Sequence, residues 1–175
     1  DGTKSYTLDA VGYSTSTLNI TYVKGESHET INGDGSKTLN VGNNSFDVVV
    51  TAHNGTDKTT YTINVYRKSN NANLATLNVT SSKTGSLDKP FNANTTTYTY
   101  NTDADETSVN ISYTKAHNGA TVVTTPANLT GINPRTTSSV TIEVTPEDTT
   151  QAKKTYTINF AVAKSTNGNL SEITV

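Results

Sequence analysis

The sequence repeats itself over about 91 to 96 residues, and this repeat constrains the fold more than any other feature. Four short motifs return in the same order and at nearly the same spacing. The paired segments are 5–7 with 97–99, 17–24 with 108–115, 60–65 with 155–160, and 73–79 with 169–175. Chance does not produce four matches in one order, so we expect one structural unit to be copied along the chain.

Within each unit, apolar residues recur at every second position, which predicts strands rather than helices. In one such run, Tyr61, Ile63 and Val65 alternate with Thr62 and Asn64. Asn-Gly and Asp-Gly pairs, which favour tight turns, separate the runs at 32–33, 34–35, 54–55 and 118–119. About seven short strands per unit predict an all-β fold of tandem immunoglobulin-like antiparallel β-sandwich domains.

The repeat divides the 175 residues into one whole unit and two partial ones. We predict a β-sandwich repeat that lacks its first strand over 1–69 and a complete repeat over 72–164. Residues 167–175 are then the first strand of a further repeat, or a strand donated to another molecule. The connections between the units are short and polar, as is usual between compact domains. The chain therefore reads as a window on a longer tandem array.

The apolar positions of 72–164 supply a candidate core. Its members are Leu74, Leu77, Val79, Leu87, Phe91, Tyr98, Val109, Ile111, Tyr113, Val140, Ile142, Val144, Tyr156, Ile158 and Phe160. Burial of each large side chain contributes roughly 1.5 to 3 kcal/mol before chain entropy is subtracted. We therefore expect this unit to fold by itself.

Composition excludes several functional classes. The chain has no Cys, so it contains no disulfide framework and no thiolate metal site. Its charges are scattered and give a net charge of -2, which leaves no electrostatic footprint for nucleic acid. No stretch approaches the roughly 18 consecutive apolar residues of a membrane-spanning helix. We expect no nucleic-acid partner and no membrane insertion.

The motifs of both units resemble the bacterial cadherin-like β-sandwich repeat, an immunoglobulin-type module found in tandem in secreted and cell-surface proteins. The second unit carries Leu-x-x-Leu-x-Val at 74–79 and Lys-Thr-Tyr-Thr-Ile at 154–158. The first unit carries Gly-x-Asn-x-Phe-x-Val-x-Val at 42–50. The resemblance implies an extracellular or cell-surface location. Its motifs are core and turn residues, which specify a fold and say little about a site.

Calcium is the first chemistry to test, because cadherin-type interfaces are bridged by calcium. The segments that connect the units contain no Asp or Glu, so the resemblance implies shape and not calcium there. Elsewhere, Asn101, Asp103 and Asp105, followed by Glu106, have an alternate spacing that aims three side chains at one ion. This cluster lacks the Gly and the distal Glu of an EF-hand loop, and a solvated acidic turn is the alternative interpretation. We predict no other metal site and no cofactor.

The sequence shows no catalytic constellation. His28, His53 and His117 are isolated, and neither a nucleophile elbow nor a phosphate-binding loop is present. Lys24 and Lys115 end matching strands in phase with the apolar face. A covalent bond to an asparagine, assisted by a nearby acid, is one interpretation, and a side chain that reaches from the strand end to water is the other. We expect no enzymatic activity.

The predicted function is that of a structural repeat, a spacer or stalk segment of a bacterial extracellular or cell-surface assembly. Its partners are then neighbouring repeats of the same array or other copies of the chain. One alternative is an adhesive or carbohydrate-binding module that recognises a glycan or cell-surface ligand with loops such as 118–135. The second alternative is a filament subunit, in which 167–175 of one molecule adds as a strand to the incomplete first unit of another.

Overall fold

A computed structural model describes residues 2–166, 168 and 169 of the chain. The described residues form thirteen β-strands and no helix, which confirms the all-β class. The strands belong to two compact units, of which the first contains the residues up to Asn70 together with Glu147–Gln151. The second contains Asn71–Pro146 and the residues from Ala152 onward. The repeat did not predict that 147–151 group with the first unit.

The domain limits of 1–69 and 72–164 stay a sequence-based prediction beside this division. Most of the predicted third segment, 167–175, lies outside the described residues, since only Gly168 and Asn169 of it are described.

The first unit contains six strands in two sheets. They are β1 (Gly2–Thr7), β2 (Thr17–Ile20), β3 (Thr30–Asn32), β4 (Gly35–Thr38), β5 (Gly42–Thr51) and β6 (Lys58–Arg67). One sheet has the order β1-β6-β5-β3, and β2 pairs with β4 in the other. Strands β1 and β6 run parallel, with Tyr6 opposite Ile63.

The second unit contains seven strands, also in two sheets. They are β7 (Leu74–Ser81), β8 (Gly85–Leu87), β9 (Thr97–Thr102), β10 (Val109–Lys115), β11 (Thr121–Thr125), β12 (Ser139–Thr145) and β13 (Lys154–Val162). One sheet has the order β11-β12-β13-β9-β8, and β10 pairs with β7 in the other. Strands β9 and β13 run parallel, with Tyr98 opposite Ile158. The repeated motifs therefore take the same register in both units.

The two parallel pairs depart from the antiparallel sheets that the sequence predicted. In each unit the parallel strands are far apart in the chain, so no tight turn joins them and forces them to run in opposite directions. The other neighbouring strands are antiparallel. The sandwich class is confirmed, and the exception is one strand pair in each unit.

The turn between β3 and β4 depends on glycine, as the Asn-Gly pattern predicted. Gly33 has a φ of 98°, and a Cβ at this position would lie 2.0 Å from the carbonyl oxygen of Asp47. Gly35 and Gly55 also have positive φ, whereas Gly119 does not. Asn118-Gly119 is therefore a turn of a different kind from the one that the sequence indicated.

The second unit has a large core and the first a small one. All the predicted core residues of the second unit are buried or pack against the buried cluster. The sequence missed four buried members of that cluster, Ala72, Tyr100, Ala120 and Ile132. In the first unit the buried apolar side chains are Ile20, Leu39, Val48 and Val65.

Candidate functional site

The first unit contains an open apolar groove with a volume of about 720 Å³. Both sheets line it, through β1, β3, β5 and β6 on one side and β2 with the residues after it on the other. We define the apolar groove by four of its lining residues, Tyr6, Leu18, Tyr22 and Tyr61. This feature explains why so few side chains of the first unit are buried.

In the second unit, side chains of β7 fill the equivalent space. Leu74 and Leu77 of β7 belong to the buried cluster that also contains Tyr98. Tyr98 is 0 % exposed, whereas Tyr6, at the equivalent place in the repeat, is 50 % exposed. The apolar groove is therefore the place of a strand that the second unit has and the described part of the first unit lacks.

The strand beside the apolar groove has an unpaired edge. In the second unit, β10 is a strand as far as Lys115 because β7 pairs with it along its whole length. In the first unit, β2 ends at Ile20 and, among the residues that the structure describes, pairs only with β4. The backbones of Tyr22 and Val23 have no backbone hydrogen bond within the described part of the chain, and Val23 is 97 % exposed.

A tyrosine hydroxyl marks the same difference between the two units. The Tyr156 hydroxyl accepts the Leu74 backbone N–H at 3.2 Å and donates to the Ala93 carbonyl at 2.7 Å. Burial raises the pKa of Tyr156, against the lowering effect of the Leu74 N–H. Tyr61, its counterpart, lines the apolar groove, and its hydroxyl has no hydrogen-bond partner among the residues that the structure describes.

The calcium candidates lie on β9 and in the turn after it. Asn101 is exposed on the strand, and the Asp103 carboxylate accepts the Asp105 N–H at 3.0 Å. Asp105 lies 3.6 Å from the Arg135 guanidinium. The solvated acidic turn was wrong for Glu106, whose side chain is fully buried. Within the described residues no group of three or more His, Cys, Asp or Glu side chains is placed to hold a metal, and calcium binding at Asn101, Asp103 and Asp105 stays one of two interpretations.

Glu106 is a structural anchor that the sequence did not reveal. Burial acts to raise the pKa of its carboxyl, but hydrogen bonds to the ionised form outweigh this effect and hold the pKa below its usual value. The donors are the backbone N–H groups of Ser108, Lys83 and Thr107 and the hydroxyl of Ser82. The carboxylate therefore ties the segment after β7 to the segment before β10.

The lysines singled out from the sequence make hydrogen bonds to backbone. Lys115 ends β10 as predicted and donates to the Asn118 carbonyl at 2.8 Å. Lys24 lies beyond the end of β2, not at it, and donates to the Glu29 carbonyl at 2.8 Å. The lysine that contacts an asparagine side chain is Lys154, which donates to Asn73 Oδ1. A covalent link at Lys24 or Lys115 stays an alternative interpretation.

Two of the three histidines are not isolated, which corrects the sequence interpretation. The ring centroids of His28 and His53 lie 4.6 Å apart. They meet because β3, which follows His28, pairs with β5, which precedes His53. His117 accepts the Gly119 N–H at 3.2 Å.

The segment 118–135, considered as a binding loop, is mostly part of the sandwich. It contains β11, and the carbonyls of Leu129 and Ile132 accept N–H groups from β10. The loop surface considered from the sequence is therefore shorter than 118–135, because β10 pairs with part of this backbone along its second edge, and ligand binding at this end of the unit stays a prediction.

Comparison with known proteins agrees with the all-β architecture. Residues 1–68 match the family model of the cadherin-like beta sandwich domain. No curated protein matches the chain. None of the described segments forms a helix with the length and hydrophobicity that crossing a bilayer requires.

Three solved structures match the chain at low sequence identity and with TM-scores below 0.5. Protocadherin Gamma B2 extracellular cadherin domains 3-6 match with a TM-score of 0.39 and 10% identity, over 92% of this chain and 46% of that one. Domains 1-5 of the same protein match with a TM-score of 0.35 and 11% identity, over 94% and 39%. Sidekick-1 immunoglobulin domains 1-4 match with a TM-score of 0.27 and 8% identity, over 91% and 49%. The chain spans less than half of the length of each, and the match to the cadherin-like beta sandwich family model is confined to residues 1–68.

Proposed function

We propose that the chain is a non-enzymatic structural repeat that acts as a spacer or stalk segment of a bacterial extracellular or cell-surface assembly. The observation that supports the proposal is the duplication of one strand arrangement, with equal registers in β1–β6 and β9–β13. The residues that recur are core and turn residues, and no histidine or carboxylate recurs in the matched motifs. What is copied between the units is therefore shape and not chemistry.

The parallel pair in each unit suits a module that is loaded along its length. Backbone hydrogen bonds join residues Gly2–Thr7 of β1 to β6, and these bonds lie across the two strands and not along them. Pulling at the start of β1 and at the end of β6 makes the two strands slide along each other. The hydrogen bonds are then loaded together and not one after another. Strands β9 and β13 have the same geometry.

Force spectroscopy on the full chain, held between molecular handles, tests the spacer. We expect separate rupture events for the two units. Unfolding of 72–164 lengthens the chain by about 300 Å, from roughly 3.6 Å for each extended residue. Extension without any rupture event would contradict a load-bearing role. A glycan array probed with the full chain is the second measurement, and reproducible glycan binding would favour the adhesive or carbohydrate-binding alternative over a pure spacer.

A filament subunit is the second candidate function. The unpaired edge after β2 favours it, because an exposed strand edge is a template for pairing with another chain. In that case the same module serves both as a spacer and as a unit of assembly. A filament subunit then differs from a pure spacer in that a strand of another chain occupies its apolar groove.

A further inference from the structure

We propose that the apolar groove of the first unit is a strand-acceptor site, and that its occupant is segment 169–175 of a second copy of this chain. The interaction is the addition of a β-strand to an exposed sheet edge, in which backbone hydrogen bonds supply affinity and alternate side chains supply specificity. The inference does not depend on the spacer role, since a module that never binds a second copy still separates what lies on either side of it.

The sequence of the segment matches the strand that fills the same space in the second unit. Residues 73–79 read Asn-Leu-Ala-Thr-Leu-Asn-Val, and 169–175 read Asn-Leu-Ser-Glu-Ile-Thr-Val. Leu170, Ile173 and Val175 stand at the positions from which β7 packs on the core of the second unit. The segment therefore carries the side chains that the apolar groove lacks.

The pairing of β10 with β7 fixes the expected register, because both strands have counterparts in the proposed complex. The observed pairs Ile111–Val79 and Tyr113–Leu77 become Ile20–Val175 and Tyr22–Ile173. In this register the incoming strand runs antiparallel to β2 and lengthens it. The unpaired backbones of Tyr22 and Val23 then obtain hydrogen-bond partners, as their counterparts in β10 have.

The polar groups of the segment fit this register as well. The Tyr61 hydroxyl has no hydrogen-bond partner among the described residues. It is the counterpart of the Tyr156 hydroxyl, which accepts the first N–H of β7. We expect it to accept the N–H of Leu170. Glu172 corresponds to Thr76, which is exposed on the outer face of β7. The one charged side chain of the segment therefore faces water and not the core.

Chain length favours a second copy over the same molecule. The chain enters the second unit near Asn73, which contacts Lys154 at the start of β13, and β13 ends at Val162. That strand separates its two ends by about 27 Å. The residues 163–169 span at most about 25 Å when fully extended. Residues 163–169 are therefore shorter than β13 even when fully extended, which limits how far the segment reaches within its own molecule, whereas a second copy can approach the segment from solution.

The contact is heterologous, because the groove and the segment are different surfaces of one chain. Each copy then offers one groove and one segment, and copies join head to tail without closing on themselves. The predicted product is an open series of molecules whose length rises with concentration.

Cysteine pairs test the register directly, since the chain has no cysteine of its own. In the second unit the Thr76 and Thr114 hydroxyls lie 2.7 Å apart, and their counterparts are Glu172 and Val23. We expect the full chain with Val23→Cys and Glu172→Cys to form disulfide-linked dimers and larger species on mild oxidation. The matched control pairs Glu172→Cys with Asn19→Cys, about 13 Å out of register, and stays monomeric on a non-reducing gel.

Three outcomes of the cross-linking experiment would overturn the proposal. Equal cross-linking of both cysteine pairs would mean that two copies collide without a defined strand register. No cross-linking of the Val23 pair would mean that the segment does not reach the edge. A disulfide within one molecule would mean that the chain fills its own groove.

Sedimentation of the full chain tests the assembly. We expect species larger than the monomer to grow with concentration, and deletion of 169–175 to abolish them. Tyr22→Asp, at a side chain that is 45 % exposed, is expected to weaken association about 100-fold, or about 2.7 kcal/mol. Val123→Asp is the control and leaves association unchanged, because it places the same charge on a side chain of the second unit that is 63 % exposed and lies outside the groove.

Mixing the two defective variants gives the sharpest result. The deletion variant retains a groove, and the Tyr22→Asp variant retains a segment. We expect each alone to be monomeric and an equimolar mixture to form a one-to-one pair and nothing larger. A monomeric full chain at every concentration, or assembly that survives both changes, would overturn the proposal while leaving the spacer role untouched.

Discussion

Removal of one hydroxyl group from equivalent tyrosines is expected to affect the two units very differently. The Tyr98 hydroxyl lies in the buried core, where it accepts the Asn92 N–H and donates to the Asn92 carbonyl, both at 2.8 Å. Tyr98→Phe breaks both bonds and leaves two backbone groups unsatisfied, so we expect a loss of about 2–3 kcal/mol in the free energy of unfolding of the second unit. Tyr6→Phe keeps the ring beside Tyr61 and removes a hydroxyl that is open to water, so we expect a loss below about 0.5 kcal/mol in the first unit.

Hydrogen exchange measured by mass spectrometry reads the two units separately in the intact chain. The slowest amides of β12 and β13 report on the second unit, and those of β5 and β6 report on the first. The expected result is faster exchange in β12 and β13 of the Tyr98→Phe variant and unchanged exchange throughout the Tyr6→Phe variant. Losses that agree within about 0.5 kcal/mol for the two variants would refute the inference that the groove beside Tyr6 is open while its counterpart is filled.

Three further predictions concern the turns. Glu106→Gln is expected to destabilise the second unit by about 1–3 kcal/mol at neutral pH. Because folding lowers the pKa of this carboxyl, the stability that Glu106 contributes is present above the pKa of the unfolded state and is lost as the pH falls through the pKa of the folded state. Urea titrations of the wild-type and Glu106→Gln proteins should therefore converge in acid. Gly33→Ala is expected to cost the first unit about 1–3 kcal/mol, since the new Cβ meets the Asp47 carbonyl, and an unchanged urea midpoint would contradict this. Millimolar calcium and millimolar magnesium are expected to give the same melting temperature. The reason is that the Asp103 carboxylate already accepts a hydrogen bond within the turn and Asp105 already pairs with the Arg135 guanidinium. A rise in melting temperature with calcium alone would favour the calcium interpretation.

The sandwich was predictable because burial of one sheet face imposes a period of two on the sequence. The same pattern identified the core of the second unit, including Leu74 and Tyr156, since a residue on the inner face has few alternatives to burial. The pattern says nothing about strand direction, because parallel and antiparallel strands alternate alike. That is why the parallel pairs β1–β6 and β9–β13 appeared only in the structure.

The candidate site was predictable in part. The described part of the first unit contains no counterpart to β7, and the structure shows an open groove beside Leu18 and Tyr22. The burial of Glu106 had no sequence signal, because its donors come from segments on either side of β8 and β9 that only the fold brings together. The contact of His28 with His53 likewise depends on strand pairing over a long connection.

We expect the stretch after β2, which is unpaired among the described residues, to favour nonspecific precipitation as well. Natural proteins protect such stretches with charges, prolines or short length, and Thr21, Tyr22 and Val23 supply no charge and no proline. Three solvent-exposed residues with high β-propensity are therefore expected to favour amorphous, β-rich aggregates at high protein concentration. A lysine introduced by Val23→Lys adds a like-charge barrier at a side chain that is almost wholly in water, and should keep such stocks clear without altering the fold.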